Sequence, residues 1–229
     1  MTTIDRPSPN HNARPEGQAV DILLLHYTGM PSAEAALDRL CDPEAEVSAH
    51  YCIDEDGTLY RLVPEERRAW HAGRALWDGA EDINGRSIGI ELVNPGHEFG
   101  YRPFPEAQMA RLKDLALEIL ARHPIPPARV LGHSDVAPLR KEDPGELFDW
   151  QGLAAAGIGV WPDAPAPLTA FPGEAEVKAA LARLGYGYLD QDLGAVLRAF
   201  QRHFRPAAIT GDLDAETAAR LFALADSLA

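Results

Sequence analysis

The run Ile22 to Leu25, inside "VDILLLHYTG", is apolar throughout, stops at His26, and is closed by Gly29 and Pro31. A β-compatible run bounded by breakers reads as a strand. The segments that follow it alternate in type. An Ala/Leu-rich helix is expected at about 32–41. "SAHYCIDEDGTLYRLV" reads as a β-hairpin turning at Asp56-Gly57. "SIGIELVN" reads as another strand. "PEAQMARLKDLALEILARH" places Met109, Leu112, Leu115, Ile119 and Leu120 at helical spacing behind Pro105. "RVLGH" closes the series as a short strand. Strands interleaved with helices predict an α/β fold, a central mixed β-sheet flanked by helices. Residues 1–18 read as an extended arm leading into it.

The pattern changes near residue 154. "GVWPDAPAPLTAFPG" carries four prolines and reads as a semi-rigid linker spanning 154–172. Three amphipathic helices are expected beyond it, near 174–185, 191–204 and 214–226, with Asp214 as an N-cap. The chain thus divides into 1–153, a linker, and a small three-helix domain over 173–229.

Hydrophobic residues make up 46% of the 229, enough for a core, and the formal charge of −14 argues against nucleic acid or an anionic membrane as partner. No stretch approaches the roughly twenty apolar residues of a membrane span. Cys41 and Cys52 form no CxxC pair; two packed thiols are expected, with a disulfide between them left open. The first twenty residues hold three prolines and no apolar run, and the first cysteine is Cys41, so a cytoplasmic location is the expectation.

The densest chemistry lies in "GHSDVAPLRKEDPG", Gly132 to Gly145. Pro138 and Pro144 forbid a continuous helix through it, which makes it a loop rich in ionisable groups. Such a loop can fold back to bring His133 and Asp143 together. His26, at a strand end, is the best candidate for a third ligand. Two imidazoles and a carboxylate leave the fourth position of a tetrahedral Zn²⁺ open for water, the arrangement of a hydrolytic site. Taken singly, each of the eight histidines reads as a surface or satisfied core residue, and His11, His97, His123 and His203 stay in that class.

"LLHYTGM", "SAHYCIDEDGTLYRLV", "AWHAG", "SIGIELVN" and the loop itself occur in an order and spacing that resembles the type-2 N-acetylmuramoyl-L-alanine amidases. That family is related to phage lysozyme-type amidases and animal peptidoglycan recognition proteins. The resemblance covers roughly residues 8–150. It implies zinc ligands at His26, His133 and Asp143, a catalytic carboxylate at Glu91 and a catalytic lysine at Lys141. Relatives in the phage and animal branches commonly carry a tyrosine where this chain has Ala49, which leaves proton transfer to Glu91. From the residues alone, Glu91 could equally be a strand acid paired with Arg86, and Lys141 a solvated surface lysine.

The resemblance also implies a substrate cleft lined by His50, Trp70, His71 and Asn84, against the alternatives of core packing for Trp70 and a supporting hydrogen bond for His50. Asn10 and Arg14 match an N-terminal arm that packs beside the cleft, where a ligand contact is the expectation. "AFQRHFRP" and "GDLDAET" resemble a peptidoglycan-binding three-helix domain, with a purely structural appendage as the alternative. The function implied is zinc-dependent hydrolysis of the amide between N-acetylmuramic acid and L-alanine, with peptidoglycan fragments (muropeptides) as substrate. The rival is a recognition protein of the same fold that binds without cutting. A complete ligand set argues against that rival.

Overall fold

The computed structural model describes residues 2–162 and 170–227. The strands are β1 (Thr3–Asp5), β2 (His11–Ala13), β3 (Ile22–Tyr27), β4 (Tyr51–Ile53), β5 (Leu59–Arg61), β6 (Arg67–Ala69), β7 (Ser87–Leu92) and β8 (Val130–Gly132). The helices of the first part are α1 (Ala33–Cys41), α2 (Ile83–Arg86), α3 (Gly96–Phe99), α4 (Glu106–Arg122), α5 (His133–Val136) and α6 (Trp150–Ala155). The C-terminal part holds α7 (Glu174–Leu184), α8 (Leu193–Phe204) and α9 (Ala215–Ser227). Among the described residues no helix is long and apolar enough to cross a membrane.

Six strands form one mixed sheet in the order β1-β5-β4-β7-β3-β8. β3 runs parallel to both β7 and β8, and β4 parallel to β7, while β4 and β5 form the antiparallel hairpin expected around Asp56-Gly57. The apolar run of β3 is continuous because both of its faces are covered. Leu23 and Leu25 join the cluster under α4, with Ile88, Ile90 and Leu92 of β7 and Met109, Leu112, Leu115 and Ile119 of the helix. Ile22 and Leu24 point the other way, into a cluster with Val177, Leu181, Val196 and Phe200 of the C-terminal helices. Full burial of one such side chain contributes about 1.5–3 kcal/mol, so these two stripes hold the sheet between its layers.

The C-terminal helices therefore share a core with the sheet. Their expected positions agree with α7, α8 and α9, and the Asp214 side chain caps α9 by accepting from the Thr217 amide at 2.8 Å. The first part of the expected linker packs with the body. Leu153 and Ile158 are buried under the sheet and Trp161 packs against both clusters, so the chain up to 162 belongs to the fold. Residues 163–169 of that stretch lie outside the described residues.

The arm at 1–18 is extended but pairs with the body. β1 adds to the sheet edge parallel to β5, and β2 forms a two-stranded ribbon with β6. An edge strand offers unpaired backbone groups, and the arm satisfies them. Cys41 and Cys52 are both free thiols.

Candidate active site

The three parallel strands β3, β7 and β8 end at the same edge of the sheet, where open α/β sheets present their ligand-binding residues. The register sets His26 opposite Glu91, and Leu25 opposite Gly132, the residue before His133. Successive side chains alternate faces. His26 and Glu91 therefore share the face of Ile22 and Leu24, on the side of the C-terminal helices. After Gly132 the chain makes the single turn α5, then folds back through the two prolines so that the Ser134 amide donates to the Asp143 carbonyl at 2.9 Å. That closure carries Asp143 to His133.

His26, His133 and Asp143 offer donor atoms that all lie within 4.8 Å of one another, and all three side chains are buried. His26 Nδ1 lies 3.0 Å from His133 Nδ1, and each is 3.1 Å from Asp143 Oδ2. The remaining ring nitrogens are engaged elsewhere. His133 Nε2 donates to the Ala72 carbonyl at 2.9 Å, and His26 Nε2 pairs with His71 Nδ1 at 3.0 Å. Both imidazoles thus turn Nδ1 towards the carboxylate, the orientation a shared metal ion requires. Burial, followed by the neighbouring His133, lowers the His26 pKa to about 4, so the ring stays a neutral donor. Burial works to raise the Asp143 carboxyl, but His133 and His26 outweigh it and hold the group well below the usual carboxylate range. Two imidazoles and one carboxylate, converging in a buried pocket, fit a divalent metal ion.

Glu91 lies beside this trio. Burial first, then the charge of Asp143, pushes its pKa well above the ordinary carboxyl value, against the pull of Lys141. Its Oε2 is buried and has no hydrogen-bond partner among the described residues. The alternative of a pair with Arg86 fails, because Arg86 hydrogen-bonds to Asp21 through both Nε and Nη2. Lys141 lines the same cleft of about 1180 Å³, with Trp70, His71, Tyr27, His97, His26, His133 and Asp143. Among the described residues Lys141 forms no ion pair.

The other expected cleft residues separate into two groups. Trp70 lines the cleft and its indole donates to Asn12 Oδ1 at 3.1 Å. His71 also lines it, but its ring is committed to His26 on one side and to Ser87 Oγ at 3.3 Å on the other. Room for that ring comes from Gly89, where a Cβ would fall 2.5 Å from His71 Nδ1. His50 and Asn84 do not reach the cleft. His50 is fully buried, accepts from the Gly89 amide at 3.0 Å and donates to the Arg67 carbonyl at 3.1 Å. Asn84 Oδ1 accepts from the amides of His71 and Ala72, which holds in place the His71 ring and the Ala72 carbonyl that contact His26 and His133. Asn10 and Arg14 are likewise internal ties. Asn10 donates to the carbonyls of Asp42 and Val47, and Arg14 gathers those of Glu65, Asn84, Gly85 and Ser87 beside His50.

Sequence reasoning missed one wall of the cleft entirely. Gln191, Asp192, Ala195, Arg198 and Arg202, at and within α8, line it together with the metal-ligand trio. No local motif marks them, because helix packing alone brings them there. His97, set aside as a surface residue, sits on the rim, 3.2 Å from Glu146 and stacked on Tyr101.

A family model described as N-acetylmuramoyl-L-alanine amidase matches residues 16–146, and a second, of the peptidoglycan-binding domain type, matches 175–221. The chain is 40% identical over 225 residues to the N-acetylmuramoyl-L-alanine amidase AmiD of Escherichia coli, covering 87% of this chain and 80% of that protein. It is 35% identical to the 1,6-anhydro-N-acetylmuramyl-L-alanine amidase AmpD of Enterobacter cloacae, over 65% of this chain and 87% of the other. The solved structure of the Escherichia coli AmiD complex with anhydro-N-acetylmuramic acid-L-Ala-D-γ-Glu-L-Lys superposes with a TM-score of 0.80 at 39% identity, covering 93% and 92% of the two chains. The AmpDh3 complex with anhydromuramic pentapeptide from Pseudomonas aeruginosa gives 0.84 at 35% identity, covering 97% and 98%. With the ligand trio, the neighbouring carboxylate and the surrounding sheet all accounted for, the chain belongs to the N-acetylmuramoyl-L-alanine amidase family.

Proposed function

We propose that this chain is a zinc amidase that hydrolyses the bond between N-acetylmuramic acid and the L-alanine of the stem peptide, with soluble anhydro-muropeptides as its substrate. The observation that carries the chemistry is the unpartnered buried oxygen of Glu91 beside the converging donors of His26, His133 and Asp143. The anhydro-muropeptide class is supported by the ligands bound in two solved relatives.

His26, His133 and Asp143 would hold the ion. Zinc, when bound, supplies Lewis acidity at the scissile carbonyl and lowers the pKa of a coordinated water. His71 and the Ala72 carbonyl hold the outer nitrogens of the two imidazoles, which orients both rings with Nδ1 towards the site. Glu91 is the group placed to take a proton from water and return it to the leaving amide nitrogen. A carboxyl raised by burial is suited to holding that proton between the two steps. Lys141, cationic and free of an ion pair among the described residues, faces the cleft where charge develops on the carbonyl oxygen.

The test is digestion of purified anhydro-muropeptides with analysis of the products by mass spectrometry. Free stem peptide and an intact anhydro-muramic acid sugar are expected, with no product after chelation. Cleavage elsewhere in the peptide, or none, would overturn the proposal.

A further inference from the structure

Two residues beyond the ligand His133, the Asp135 side chain is fully buried and accepts three hydrogen bonds. One comes from its own turn, the Gly132 amide at 2.7 Å to Oδ2. The other two come from the C-terminal helices: the Tyr186 hydroxyl to Oδ1 at 2.7 Å, and His203 Nδ1 to Oδ2 at 2.8 Å. His203 is held in turn between Trp150, stacked at 3.7 Å, and Phe204, at 3.9 Å. A carboxylate has only acceptors, so Nδ1 of His203 must carry its proton here. Burial, then the charge of Asp135, raises the Tyr186 pKa far above its ordinary value, which keeps the hydroxyl a donor.

The far end of the loop is gripped as well. Arg202, one residue before His203, donates to Glu142 Oε1 at 2.8 Å. Glu142 lies between Lys141 and the ligand Asp143. Helix α8 and the residue Tyr186 thus reach both ends of the segment that carries two of the three candidate metal ligands.

We infer that the C-terminal helical unit positions the metal-binding loop, acting through Tyr186 and His203 on Asp135. The inference rests on the metal-site reading above. A buried carboxylate that loses a donor must shift or take up a proton to recover its hydrogen bonding. Here that shift would move the turn on which His133 stands. Partners of metal-ligating residues that orient them without touching the ion typically change affinity or activity by about 10–100-fold when removed.

The experiment measures zinc affinity by competition with a chelator, on the full-length protein, alongside the metal-free melting temperature and steady-state kinetics. Tyr186→Phe and His203→Leu should weaken zinc binding by about tenfold or more and lower kcat with KM little changed. His203→Asn, whose side-chain amide can donate from near the Nδ1 position, should recover most of the affinity. Val196→Ala, a core change in the same helix that does not touch Asp135, should lower the melting temperature and leave zinc affinity near wild type. Variants at Tyr186 and His203 that melt earlier yet bind zinc as tightly as wild type would overturn the inference, as would equal loss of affinity in Val196→Ala. A wild-type protein with no zinc affinity would instead defeat the metal-site reading, and this inference with it.

Discussion

Glu91 and His26 are register partners on adjacent parallel strands, so a candidate metal ligand and a buried carboxylate with an unpartnered oxygen share one face of the sheet edge. The backbone ladder, rather than a flexible loop, fixes their separation. This arrangement separates binding from proton transfer. Glu91→Gln removes the titrating oxygen and leaves shape and ligand trio in place. It should retain zinc and muropeptide binding while kcat falls by roughly 10²-fold or more. Near-wild-type turnover in the variant would require the base to be sought elsewhere.

The trio itself predicts one zinc per chain. His133 is the most informative position, because its Nε2 is already spent on the Ala72 carbonyl and only Nδ1 is free to bind. His133→Ala should purify with little bound metal and no amidase activity. Elemental analysis of the wild type and of the three single alanine variants at His26, His133 and Asp143 makes the comparison. Full occupancy in His133→Ala would refute the assignment.

What was legible in the sequence was what chemistry writes locally. The apolar run before His26 announces a strand, and the two prolines around Lys141 announce a loop that can fold back. What was not legible depends on contacts across the chain. β1, β2 and β6 are three residues each, too short for a periodicity to show. His50, Asn84 and Arg14 are expected at or beside the cleft from the family resemblance alone. Only the fold shows that backbone groups far along the chain consume their hydrogen-bonding capacity. The bond between His203 and Asp135 spans 68 positions. Nothing local distinguishes that histidine from a satisfied core residue, and the expectation placed it there.

The shared core changes what truncation should do. Ile22, Leu24, Ala72, Trp77, Ile83 and Leu131 are covered by residues of α7 to α9. Removing 170–229 uncovers this face and strips two donors from Asp135. At about 1.5–3 kcal/mol for each large side chain re-exposed, the loss should reach several kcal/mol, a large share of a typical domain's stability. Cleavage of soluble muropeptides and of insoluble wall should then fall together. Urea unfolding and parallel assays on the two substrates decide the matter. A truncated chain with a normal unfolding midpoint and intact activity on soluble substrate would show that the helices serve only to bind glycan.

His50 sets a pH dependence that can be measured without metal. Burial lowers its pKa from the ordinary 6.5 to about 3, with the nearby Arg14 adding to the effect and the hydrogen bond to the Arg67 carbonyl opposing it. The unfolded chain takes up a proton near pH 6.5, and the folded chain does not until about pH 3. Between those values the unfolded state binds more protons, so stability rises with pH and is lost as pH falls through the window. One proton corresponds to a slope of about 1.4 kcal/mol per pH unit. His26 contributes in the same direction between pH 6.5 and about 4 in the metal-free protein. His50→Asn keeps an acceptor for the Gly89 amide and has no titrating ring. Its unfolding free energy, measured in denaturant from about pH 7 to 4, should lose up to that amount of slope relative to wild type. Coincident slopes would mean that the folded protein accommodates a charged His50, contrary to its full burial.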